Sequence, residues 1–128
     1  MKKVFLVEDS APLLQRMREL IGGVPDAQVV GEATTAASAI AGILEARPDI
    51  VLVDLNLAEG SGFDVLRALH ARLPAVEFYM LSNFSEYPYQ QLAERLGATR
   101  YFDKSRDFER VRDLVAQRAA QPAAQPAH

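Results

Sequence analysis

Cysteine is absent from this chain, which excludes a disulfide framework and any thiolate metal site. Long apolar runs are missing too. Lys2-Lys3 precedes only four strongly apolar residues, Val4 to Val7, before Glu8, which is too short for a signal-peptide core. Nothing approaches the ~20 apolar residues of a membrane helix. Nor is there an excess of positive charge: 17 acidic against 14 basic side chains give a net charge of −3, which repels nucleic acid and anionic membrane. These absences point to a soluble, cytoplasmic protein with neither nucleic acid nor membrane among its expected partners. At 128 residues the chain can fill one hydrophobic core but not two.

What is present is a set of short apolar runs, each halted by a polar residue. Val4-Phe5-Leu6-Val7 runs into Glu8-Asp9, Ile50-Val51-Leu52-Val53 into Asp54, Phe78-Tyr79-Met80-Leu81 into Ser82, and Tyr101-Phe102-Asp103 into Lys104. Such runs read as buried parallel strands, and Val29-Val30 with Gly31 to Ala33 supplies one more. Between them the period changes to that of helices. Leu13, Leu14, Met17, Leu20 and Ile21 share a face, with Pro12 in the first turn and Gly22-Gly23 at the stop. Ala36 to Ala46 is a second helix, and Val65, Leu66, Leu69 and Leu73 before Pro74 mark a third. Pro88 to Leu96 is a fourth and Arg106 to Arg118 a fifth. Strand and helix alternate throughout, which predicts a parallel sheet with right-handed crossovers. The repeated Ala-Ala-Gln-Pro after position 118 cannot bury a core and is expected to be a disordered tail over 119–128.

If the runs are parallel strands, Glu8, Asp9, Asp54, Ser82 and Lys104 all lie at strand carboxyl ends, where open α/β sheets bind ligands. An acidic cluster, a hydroxyl and an ammonium then share one crevice, which suits a divalent metal and a phosphoryl group. Three carboxylates in one crevice repel one another while no metal is bound.

With these residues in this order, residues 1–118 resemble the receiver domain of two-component response regulators. The resemblance implies an α/β fold, a doubly wound five-stranded parallel sheet of flavodoxin-like order 2-1-3-4-5 with helices on both faces. It implies that Asp54 is the phosphoacceptor. Mg²⁺ would be bound by Asp9 and Asp54 directly, by the backbone carbonyl of Asn56, and by Glu8 through water. Ser82 and Lys104 would stabilise the phosphoryl group, and Tyr101 would be the switch aromatic. The implied partner is a histidine kinase or histidine phosphotransfer protein that supplies a phosphohistidine. A downstream protein target and a phosphorylation-dependent dimer are further expectations. The domain would catalyse only its own phosphorylation and dephosphorylation, not act as a turnover enzyme, as a single-domain regulator. Three positions depart from the family pattern: Ala58 and Ser105 stand where proline is common, and Asn83 where alanine or glycine is usual.

Each residue also has a plainer reading. A lone Asp at a strand end is more often a turn former, Lys104 a solvated charge, and Tyr101 a packed aromatic. Their succession along the chain favours the site. Gly60-Ser61-Gly62 lacks the Lys-Ser/Thr of a P-loop and reads as turn material, and His70 as a surface histidine. A haloacid-dehalogenase-like phosphatase would need a second Asp two residues after its nucleophile, where Asn56 stands. The other alternative is a receiver-like interaction module that works without phosphorylation.

Overall fold

Every apolar run expected as a strand forms one: β1 (Lys2–Val7), β2 (Ala27–Ala33), β3 (Ile50–Asp54), β4 (Glu77–Ser82) and β5 (Arg100–Asp103). The computed structural model describes residues 1–83 and 87–121, with the backbone alone at Tyr87. The helices are α1 (Ala11–Gly22), α2 (Ala36–Ala46), α3 (Gly62–Leu69), α4 (Tyr87–Arg95) and α5 (Phe108–Ala120). All strand pairings are parallel and the order is β2-β1-β3-β4-β5, the doubly wound arrangement expected.

Side chains alternate across the sheet, and both faces are covered. Phe5, Val7, Val51, Val53, Phe78 and Met80 pack in one cluster with Ile43 of α2, Leu66 of α3 and Ala93 of α4. Val4, Leu6, Ile50, Leu52, Tyr79 and Leu81 pack in the other, with Met17 of α1 and Val111 of α5. Ser10 caps α1 by accepting from the Leu13 N–H, and capping boxes open α2 (Thr35 with Ser38) and α3 (Ser61 with Asp64).

Helix α4 is shifted by one residue from the expected Pro88 to Leu96, and larger differences fall at α3 and α5. Helix α3 stops at Leu69, so Leu73 lies beyond it, although it remains buried. Residues just before a proline avoid the helical region, and Pro74 draws the chain out of the helix early. Helix α5 begins at Phe108 rather than Arg106, because Asp103 takes the Ser105 and Arg106 N–H groups into a turn. At its other end α5 continues through Ala120. The remainder of the expected tail, from residue 122, lies outside the described residues.

Candidate functional site

The sheet register brings the chemistry together. Val7 of β1 stands opposite Val53 of β3, so Glu8 and Asp54 leave the sheet side by side. Leu81 of β4 stands opposite Asp54, and Ser82 opposite Asp103 of β5, the residue before Lys104. Backbone bonds extend the ladder past the strand ends, from Leu55 N to Leu81 O (2.9 Å) and from Lys104 N to Ser82 O (2.9 Å). Glu8, Asp54 and Ser82 are buried, whereas Asp9 is exposed. Gly62 lets α3 begin against this end of β3. Its N–H donates to Leu55 O at 2.9 Å, and a Cβ there would lie 2.6 Å from the Asp54 carbonyl oxygen. That approach requires a residue without a side chain.

Lys104 bridges the buried acids. Its Nζ lies 2.9 Å from Asp54 Oδ2, in a hydrogen bond, and 3.0 Å from Glu8 Oε1. The second approach is an ion pair without hydrogen-bond geometry, so among the described residues Glu8 Oε1 is a buried oxygen that accepts no hydrogen bond. Glu8 Oε2 accepts from the Ser10 N–H at 3.0 Å. Burial pushes the Glu8 carboxyl up to about 7, and the Asp54 charge adds to this against the Ser10 N–H and the Lys104 ammonium. At Lys104, burial pulls the ammonium down, but Asp54 and Glu8 together leave it raised.

The other expected residues fall around this centre. Asn56 is exposed at the rim, and its N–H donates to Asp54 Oδ1 at 3.3 Å. Asn83 is exposed beside Ser82. Tyr101 is half-buried against the α2–α3–α4 cluster. His70 is an exposed residue whose ring covers Gly97, in accord with a surface histidine. The Lys104-Ser105 peptide bond is trans. Sequence reasoning missed Asp103. Its carboxylate accepts from the Ser105 hydroxyl (2.6 Å) and N–H (2.8 Å) and from the Arg106 N–H (3.2 Å), which together hold it below the usual carboxylate range. The Asp-x-Ser pattern after an apolar run was the available signal, since Asp readily takes N–H groups two residues on.

The acids fit a hard divalent cation. Glu8, Asp9 and Asp54 each offer a carboxylate oxygen within 4.8 Å of the others, an all-oxygen donor set of the kind Mg²⁺ prefers. Apart from its ion pair with Lys104, the buried Glu8 Oε1 has no hydrogen-bond partner among the described residues, and a water there would satisfy it.

Known proteins are similar to this chain in sequence and in fold. The family profile described as "Response regulator receiver domain" matches residues 4–116. The "DNA-binding transcriptional activator DevR/DosR" of Mycobacterium tuberculosis is 35% identical over 104 residues, which cover 81% of this chain and 48% of that protein. Among solved structures, a two-component response regulator of the LuxR family from Aurantimonas sp. SI85-9A1 is 27% identical with a TM-score of 0.86, covering 94% of this chain and 86% of that one. The Mn²⁺-bound form of response regulator Rcp1, 21% identical, has a TM-score of 0.77 over 99% of this chain and 100% of that one. The chain spans about half or less of the length of the first curated relatives it matches, 48%, 34% and 32%. With the profile matching residues 4–116 of 128, the chain belongs to the response regulator receiver domain family.

Proposed function

We propose that this domain accepts one phosphoryl group on Asp54 from a phosphohistidine of a histidine kinase or histidine phosphotransfer protein, as a cytoplasmic step of a two-component phosphorelay. The observation that carries the reading is the Lys104 ammonium 2.9 Å from Asp54 Oδ2, with Glu8 and Asp9 beside it. An Asp54 oxygen attacks phosphorus as the bond to the imidazole nitrogen breaks, and the released imidazole takes up a proton. The carboxylate and the phosphoryl oxygens are both negative, so rate comes from positioning and charge neutralisation. Mg²⁺, held by Asp9, Asp54 and the Asn56 carbonyl with Glu8 acting through water, would supply much of that neutralisation. Lys104 moves from Asp54 Oδ2 to a phosphoryl oxygen, and the Ser82 hydroxyl donates to another. Asn56, two residues after Asp54, offers no general acid, which supports a single transfer rather than turnover.

The signal leaves through protein contact. Ser82 drawn toward the phosphoryl group vacates space that the Tyr101 ring enters, which reshapes the surface of α4, β5 and α5. An open groove of about 470 Å³ runs between β5 and α5, lined by Arg100, Tyr101, Arg110, Asp113 and Leu114. A downstream protein, or a second copy, reads the change. The DNA binding in the name of the mycobacterial relative is a property of that longer protein.

The test is intact-mass analysis after incubation with Mg²⁺ and acetyl phosphate. The parent gains one phosphoryl mass and Asp54→Asn gains none. A normal adduct on that variant, or none on the parent, overturns the reading.

A further inference from the structure

The turn that carries Lys104 is tied by side chains that the phosphoryl chemistry does not use. Asp103 closes β5, is 8% exposed, and points Oδ1 into the turn rather than toward the acids. That one oxygen accepts from the Ser105 hydroxyl at 2.6 Å, the Ser105 N–H at 2.8 Å and the Arg106 N–H at 3.2 Å. A second pair of bonds closes the loop behind it: the Asp103 N–H donates to Asp107 Oδ2 at 3.0 Å, and the Asp107 N–H to Asp103 O at 2.9 Å. Lys104 sits inside this knot. Its own N–H is held by Ser82 O, and its side chain is the one that leaves the knot, toward Asp54 and Glu8. A lysine has much rotamer freedom to lose, so fixing its backbone decides where the ammonium can reach.

We propose that Asp103, acting with Ser105, is a positioning residue that holds Lys104 on Asp54. It does not touch the phosphoryl group. The Ser105 N–H donates one of the three bonds, and a proline at 105 would have none to give. This chain therefore fixes by hydrogen bonds a turn that a proline ring would otherwise stiffen. The inference rests on the phosphoryl-acceptor reading for its consequence, though not for its geometry.

Two measurements test it, one of which needs no phosphorylation. The first is trace labelling of the intact protein with acetic anhydride, with Lys104 followed by peptide mass and folding checked by thermal melt. Asp103→Ala should label at Lys104 about tenfold faster than the parent, and Ser105→Ala, which removes one bond of three, about threefold faster. Asp103→Asn keeps an accepting oxygen and should stay within about twofold of the parent. The second is the rate of phosphorylation by acetyl phosphate with Mg²⁺. Asp103→Ala should slow it about tenfold, yet have no further effect in a Lys104→Ala background. Unchanged Lys104 labelling in a folded Asp103→Ala protein would overturn the inference, as would a full additional loss on top of Lys104→Ala. Should Asp103→Ala fail to fold, Ser105→Ala decides by the same readouts. A parent that never takes up phosphoryl defeats the functional reading instead, and the labelling result still decides the role of the turn.

Discussion

At the scale of single residues, the site is a balance between one ammonium and three carboxylates. Lys104 Nζ contacts the two buried acids, Glu8 and Asp54, while Asp9 is exposed. Lys104→Met would leave two buried carboxylates without their cation, and is expected to destabilise the metal-free protein by about 3 kcal/mol. The same change removes the positive charge that opposes a metal ion, so Mg²⁺ should raise the melting temperature of the variant more than that of the parent. An equal or smaller metal shift would show that the lysine and the metal do not compete. The geometry also separates the acids. In chelator, Asp9→Asn should stabilise by relieving repulsion, whereas Asp54→Asn gains less because it gives up the 2.9 Å contact with Lys104. The sequence showed which acids end the strands, but not this division, which follows from where one long side chain lands 50 residues away.

Among the elements, α5 is fastened at both ends. Near its start Arg16 of α1 lies 4.5 Å over the Phe108 ring. Toward its end Arg118 donates to Glu77 Oε1 of β4 at 3.1 Å, and the buried Tyr79 hydroxyl donates to the same oxygen at 3.1 Å. Burial and the Glu77 charge push the Tyr79 hydroxyl up to about 12, from an ordinary value of 10.0. Between those two values the folded chain keeps a proton that the unfolded chain has lost, so stability should fall as pH rises through that window. Tyr79→Phe should flatten the fall, and urea titrations at pH 9 and 11.5 measure it; an unchanged slope would mean that Tyr79 does not contribute. On the opposite flank, Ala93 is the one buried residue among the described side chains of α4, which leaves that helix free to respond. Tyr101→Ala should therefore leave Asp54 phosphorylation within about twofold while weakening state-dependent partner binding by 1–3 kcal/mol. Binding that stays equally phosphorylation-dependent, measured by titration calorimetry with and without beryllofluoride, would make Tyr101 a packing residue. Helix positions were legible from period, but several of their ends were not. Pro74 by its ring, and the Asp103 carboxylate by the N–H groups it accepts, limit helix ends in ways that periodicity does not register.

For the molecule as a whole, a ligand that binds only the folded form stabilises it by mass action. Mg²⁺ at a hundredfold excess over its Kd should therefore add about 2.7 kcal/mol to unfolding. A melt unaffected by Mg²⁺ at any concentration would remove the metal from the proposal. At this scale the α/β class was legible because apolar runs and helical stripes alternate along the chain. The strand order was not, and came from family resemblance. Strands buried on both faces are apolar throughout, so nothing in their pattern names their neighbours.

The order β2-β1-β3-β4-β5 also sets when the site can exist. Its acids sit at positions 8, 9 and 54, but its lysine sits at 104, just past the edge strand β5. During synthesis the acidic half emerges first, and β5 joins after four strands have been made. Pairings this distant in sequence are slow to close. A chain that ends before residue 100 has the three acids but not the lysine that pairs with two of them. The proposed phosphoryl-acceptor site is then complete only after the last strand has docked.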